Sequence, residues 1–185
     1  MDAAAARPAG LARRLGASGY EGLLLAGLLI AVGFVLLPVV TPVPNHVVAP
    51  MPGGAAGTPP LYAISPAARR LSAVALFAAA GLYCTWFWSG GRRSLPMKTW
   101  RLALRTVSGR PVGLPSAMVR YLACWVGPAL AIAGYQALQP LGEARWASLL
   151  LGANYVWSLI DRDRQFLQDR IARTRLVLAG HAAGG

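Results

Sequence analysis

The stretch YEGLLLAGLLIAVGFVLLPVV, Tyr20–Val40, decides the fold. It carries one ionisable side chain, Glu21, and is uncharged thereafter. A bilayer hydrocarbon core about 30 Å thick takes about 20 helical residues, so a run of this length reads as a membrane-spanning helix. Further apolar runs follow at Leu71–Trp88, Tyr121–Leu138 and Trp146–Ile160. The basic residues between them are uneven. Arg7, Arg13 and Arg14 precede the first run, and Arg69 and Arg70 separate the first two. Arg92, Arg93, Lys98, Arg101, Arg105, Arg110 and Arg120 lie between the second and third. Arg145 alone separates the last two, and Arg162, Arg164, Arg170, Arg173 and Arg175 follow the fourth. Alternate segments therefore hold 15 of the 18 basic residues. That is the positive-inside pattern of a four-helix bundle with both termini in the cytoplasm.

Composition points the same way. Mean hydropathy is +0.48, and 13% of residues are charged where about 25% is usual for a soluble domain. A net charge of +12 is compatible with nucleic-acid binding. Its placement beside apolar runs assigns it instead to topology and to anionic lipid headgroups, so no nucleic-acid partner is expected. The first twelve residues lack a signal-peptide pattern, and the first run is expected to stay in the membrane. Residues 1–12 and 179–185 read as disordered tails. Cys84 and Cys124 lie in apolar runs without His partners, so they read as packing residues and no metal site is expected.

The connecting segments differ in character. Thr41–Arg70 contains seven prolines and no apolar period, which reads as an irregular external loop. Trp100, Leu102 and Leu104 alternate with Arg101, Ala103 and Arg105, a strand-like period. A turn at Ser108-Gly109-Arg110 would return the chain at Pro111-Val112 as a small cytoplasmic β-hairpin-like element, and Trp100–Val107, Pro111–Gly113 and Thr174–Leu178 are expected to form one small sheet-like layer under the bundle. Pro115 suits the first turn of a helix leading into the third run. Gly127-Pro128 predicts a bend within that run. Phe166, Leu167 and Ile171 share a helical face within Asp161–Ala172, which predicts a helix lying in the membrane interface.

Charged residues in or beside the membrane carry whatever chemistry the chain has. Glu21 follows Arg14 by seven residues, two helical turns, so both occupy one face about 10 Å apart along the axis. A carboxylate at that depth is costly unless it is paired or faces the bundle interior. It either fixes packing against Arg14, Arg120 or Arg170, or it handles a proton or ion. Asp161 and Asp169 border the fourth run, and the candidate functional cluster is Arg14, Glu21, Arg120, Asp161 and Asp169. Asn154, midway through the fourth run, suits an interhelical hydrogen bond.

Three motifs in order carry a resemblance. They are Arg13-Arg14-Leu15 with Tyr20-Glu21, then Gly90-Gly91-Arg92-Arg93-Ser94-Leu95-Pro96-Met97-Lys98, then Phe166-Leu167-Gln168-Asp169-Arg170-Ile171-Ala172-Arg173-Thr174-Arg175. Over residues 13–178 the chain resembles the RDD family of bacterial membrane proteins, named for one arginine and two aspartates. The resemblance implies Arg14 for the arginine, Glu21 in place of the first aspartate and Asp169 for the second. The family's final motif reads His-Asp-x-x-Ala-Gly-Thr, so Gln168 replaces the His and Arg173 the Gly. The change to Glu21 keeps the carboxylate and moves it by one methylene. The resemblance further implies a multi-pass protein of the bacterial inner membrane, of a family for which transport of unidentified ligands has been suggested. Four short helices without an inverted repeat would need a homo-oligomer to enclose a path. The alternative is a scaffold offering its basic cytoplasmic face to a membrane partner protein. No nucleophile–base pair, nucleotide loop or metal set is present, so neither an enzyme nor a cofactor is expected.

Overall fold

A computed structural model describes residues 9–38, 42–47 and 62–179. Most of the expected tails lie outside these residues. The chain forms two compact units, residues 1–22 with 81–185, and residues 23–80.

Among the described residues three helical stretches are long and apolar enough to cross a membrane: α1 (Leu11–Leu36), α2 (Pro66–Trp88) and the combined stretch Leu114–Leu141. Helix α1 starts at Leu11, ahead of its apolar run. Its only buried residues are Arg14, Ala17 and Glu21, spaced three and four apart on one face. Helix α2 begins at Pro66, where a missing N–H costs nothing, and ends at Trp88 as its aromatic cluster predicts.

The third stretch is divided. Helix α4 (Leu114–Cys124) carries a proline in its first turn, as expected, and α5 (Val126–Leu138) follows a break at Trp125. Pro128 has no N–H to give the carbonyl of Cys124 one turn earlier. The Asn154 side-chain amide donates to that carbonyl and to that of Ala123, both at 3.0 Å. Asn154 thus makes the interhelical bond expected of it.

The expected fourth span is not one α-helix. Ala144–Gly152 is a 3-10 helix, continued by α6 (Ala153–Ile160). It packs closely on α5. A Cβ at Gly127 would stand 2.7 Å from the Leu151 carbonyl oxygen, and one at Gly134 would stand 2.7 Å from Leu150 Cδ1. Small residues at this interface let the two backbones approach.

The remaining elements are short. Within residues 23–80, β1 (Pro42–Val47) pairs antiparallel with β2 (Tyr62–Ile64), where an irregular loop was expected. In a two-stranded ribbon each strand keeps a free edge, which tolerates prolines. In the other unit, α3 (Leu95–Thr99) leads into β3 (Leu102–Thr106). Strand β3 pairs in register with the distant β4 (Thr174–Leu178), as the expected sheet-like layer requires, while the hairpin return does not form a strand. Pro111 makes only an isolated bridge to Arg105. Lacking an N–H, it cannot continue a ladder. The Ala9 N–H donates to the Leu176 carbonyl on β4.

The expected interfacial helix over Asp161–Ala172 is also corrected. Only α7 (Leu167–Ile171) is helical there. Asp161 Oδ2 accepts the N–H groups of Asp163 and Gln165, and Arg164 adopts a left-handed conformation at φ 51°. These local bonds fold the first half into a turn rather than a helix. Phe166, Gln168 and Asp169 are buried in protein, while Ile171 of α7 is exposed.

Candidate functional site

The site is a buried polar layer where the start of α1, the end of α2, α4 and the turn before α7 meet. Asp169 is fully buried and forms an ion pair with Arg120, itself 4% exposed. The same Arg120 nitrogen donates to Thr174 Oγ1 at 3.4 Å, and the guanidinium lies 4.7 Å over the Trp88 ring. A guanidinium within about 6 Å of a ring centroid gains from the π-face. Burial pushes the Asp169 carboxyl above its usual range, while the charges of Arg120 and then Arg14 oppose that shift.

Arg14 approaches the same turn from α1. One of its terminal nitrogens donates to the Arg164 carbonyl, and its guanidinium sits 5.2 Å over the Phe166 ring. Phe166 in turn meets Tyr155 edge-on at 5.0 Å. The carboxylates of Asp169 and Asp161 both bear on Arg14 without contacting it directly. Asp161 is occupied locally. Besides its two backbone bonds it pairs with Arg170 Nε at 3.2 Å, and Arg170 also reaches Asp163 at 3.1 Å.

Glu21 differs from the others. The arginine partner expected for it is absent among the described residues, because Arg120 is committed to Asp169 and Arg14 to the Arg164 carbonyl. Its Oε2 accepts a 2.6 Å hydrogen bond from the fully buried Ser94 hydroxyl. The Tyr83 hydroxyl also bears on it, and Arg120 acts on it only at longer range. Its Oε1 has no partner among the described residues, and the same holds for Asp169 Oδ2, Arg120 Nε, Arg14 Nε and Gln168 Oε1.

Four of the five cluster residues, Arg14, Glu21, Arg120 and Asp169, thus line one layer, with Asp161 at its edge. Sequence reasoning missed Ser94, Thr174, Trp88 and Phe166 as its partners. Ser94, Phe166 and Thr174 stand inside the quoted motifs, which was the available signal. Nothing in a local pattern links Trp88 to Arg120. Among the described residues no group of His, Cys, Asp or Glu could hold a metal ion. Cys84 and Cys124 are free thiols, Cys84 buried and Cys124 partly so.

Comparison with curated proteins and with solved structures gives no match. The family comparison does, and it spans the first helix through α7, with every member of the buried layer except Thr174 inside the matched stretch. The chain belongs to the RDD family, whose model matches residues 8–173, and is a membrane protein with apolar helices.

Proposed function

We propose that this protein assists transport of an unidentified ion or small ligand across the bacterial inner membrane, with Glu21 as the group that exchanges a proton or binds a cation. One observation carries the reading. Every other described carboxylate has an arginine: Asp169 with Arg120, Asp161 and Asp163 with Arg170, and Glu143 with Arg145. Glu21, inside the first membrane helix, has a serine hydroxyl instead. An ionised side chain in a membrane helix costs at least about 2.5–3.5 kcal/mol at mid-bilayer, and a purely anchoring carboxylate would be matched with a cation. In this reading the Arg120–Asp169 pair and Arg14 close the cytoplasmic end. A homo-oligomer would complete the path.

The proposed orientation puts both termini and Gly90–Arg120 in the cytoplasm, supported by the distribution of arginines. It counts residues 144–160 as a fourth crossing. Nine 3-10 residues at about 2.0 Å and eight α residues at about 1.5 Å rise about 30 Å, the thickness of a bilayer core. Reporter fusions after Arg110 and after Gly57 should give opposite signals, and equal signals would defeat this arrangement.

Flux driven by a proton or sodium gradient, measured with purified protein in liposomes, tests the function. The Glu21→Gln variant should fold and lose flux, while Glu21→Asp keeps part of it. The alternative, a scaffold presenting its basic face to a partner protein, has the uncompensated arginines in its favour. It predicts that Glu21→Gln lowers only the amount of folded protein, with any activity falling in proportion.

A further inference from the structure

Strand register sets two arginines against each other. Arg105 on β3 is directly opposite Arg175 on β4. Directly opposed residues in an antiparallel pair have Cβ atoms about 4.5–5.5 Å apart, and like charges so placed are destabilising. The preceding pair on that face, Ala103 and Val177, is buried, and both arginines are themselves only partly exposed. Water therefore screens them incompletely.

An acid would normally neutralise such a pair, and the chain has few to offer. It holds six Asp and Glu residues. The five that are described are engaged elsewhere, four with arginines and Glu21 with Ser94. The sixth, Asp2, lies outside the described residues. Arg175 Nε is buried and has no hydrogen-bond partner among the described residues.

Two planar guanidinium forks side by side match a tetrahedral oxyanion, which each can engage bidentately. A phosphate monoester carries nearly two charges near neutral pH and can neutralise both arginines, whereas a single carboxylate neutralises one. We propose that Arg105 and Arg175 form a binding site for a terminal phosphate group, supplied by a lipid headgroup or by free phosphate. The site lies outside the Glu21 layer, so it stands or falls independently of the transport reading.

The test uses the full chain in detergent micelles, with thermal unfolding followed against inorganic phosphate, against dioctanoyl phosphatidic acid, and against dioctanoylglycerol as the neutral control. Chloride holds ionic strength constant. A phosphate-bearing compound should raise the melting temperature saturably, and the neutral lipid should not. The combined variant Arg105→Gln/Arg175→Gln should weaken the half-saturating concentration at least tenfold. The same loss of charge at exposed Arg93, in Arg93→Gln, should change it less than twofold. Without ligand the double variant should melt no lower than the parent, because a like-charge contact is gone. Should it fold poorly, Arg175→Lys keeps the charge without the fork and should bind more weakly than the parent. A response to phosphatidic acid alone assigns the site to a headgroup, and a response to both compounds assigns it to phosphate in general. No saturable response, or one that these substitutions leave unchanged, overturns the proposal.

Discussion

Replacing Arg120 by Gln should destabilise the protein in a pH-dependent way, because of what it leaves behind. Asp169 is fully buried, with Oδ1 on Arg120 and Oδ2 without a partner. Removing one member of a buried ion pair costs about 3–5 kcal/mol when the other must stay charged. Asp169 need not stay charged. Burial already raises its carboxyl pKa above the reference 3.8, and Arg120 is the first of the influences holding it down. Arg120→Gln removes that influence and raises the pKa further. A carboxyl whose folded pKa exceeds its unfolded value binds more protons in the folded state. Stability is then greatest below the unfolded pKa and is lost as pH rises through the folded one, by at most about 1.4 kcal/mol per pH unit. The deficit of Arg120→Gln should therefore be smallest at low pH, where Asp169 is protonated in parent and variant alike, grow as pH rises through the folded pKa, and level off at about 3–5 kcal/mol. Denaturant titrations of parent and variant in one detergent across that range measure it. The double variant Arg120→Gln/Asp169→Asn has no carboxyl to titrate, so its deficit should be flat. A deficit for Arg120→Gln that is flat, or larger at low pH, would refute the reasoning.

Two further substitutions test the supporting structure. Asn154→Leu removes both 3.0 Å bonds to the Ala123 carbonyl and the Cys124 carbonyl, the latter left free by Pro128, and should cost about 1–3 kcal/mol in the same titration, so an unchanged midpoint would show those carbonyls to be indifferent to it. Arg173→Gly should stabilise by about 0.5–1 kcal/mol: Arg173 holds φ at 53°, which costs a side-chain-bearing residue about 1–2 kcal/mol, part of which the greater unfolded freedom of glycine cancels. Arg173→Ala should give no such gain, since alanine meets the same backbone penalty.

The position of Arg173 illustrates what was legible in the sequence. The family motif has Gly there, and the left-handed turn between α7 and β4 explains why. Membrane helices announced themselves through runs of apolar residues, and Pro115 marked the start of α4. The Gly127-Pro128 bend was visible as well, and so was an interhelical bond from Asn154, though not that it would meet the carbonyl Pro128 leaves free. The alternation in 100–105 and the aliphatic residues of Thr174–Leu178 identified two strands of one layer some 70 residues apart, while the nearby Pro111 adds only a bridge. Local patterns failed elsewhere. The helical spacing in 161–172 could not foresee that Asp161 would cap its own turn. The seven-residue offset put Arg14 and Glu21 on one buried face, but which groups each would meet depended on segments far along the chain.

That offset has an energetic consequence for the proposed site. Arg14 and Glu21 are opposite charges on one helix, yet each is held by a different part of the fold. Arg14 is fixed to the Arg164 carbonyl and the Phe166 ring, and Glu21 to Ser94. Two turns of helix separate them by about 10 Å along the axis, and the arginine whose charge acts on Glu21 is Arg120. With Arg120 and Asp169 the layer holds two positive and two negative charges and is neutral only while Glu21 is ionised. Neutralising Glu21, by a proton or by the Gln substitution, leaves one uncompensated positive charge in a region of low dielectric. At an effective dielectric of about 20, opposite charges about 10 Å apart attract by roughly 1.7 kcal/mol. Loss of charge at Glu21 would be felt at Arg120, whose charge acts on it, and through Arg120 at its partner Asp169. In the proposed reading a proton or cation arriving at Glu21 changes the charge balance that Arg120 and Asp169 share, while the Ser94 hydrogen bond keeps the carboxylate in place.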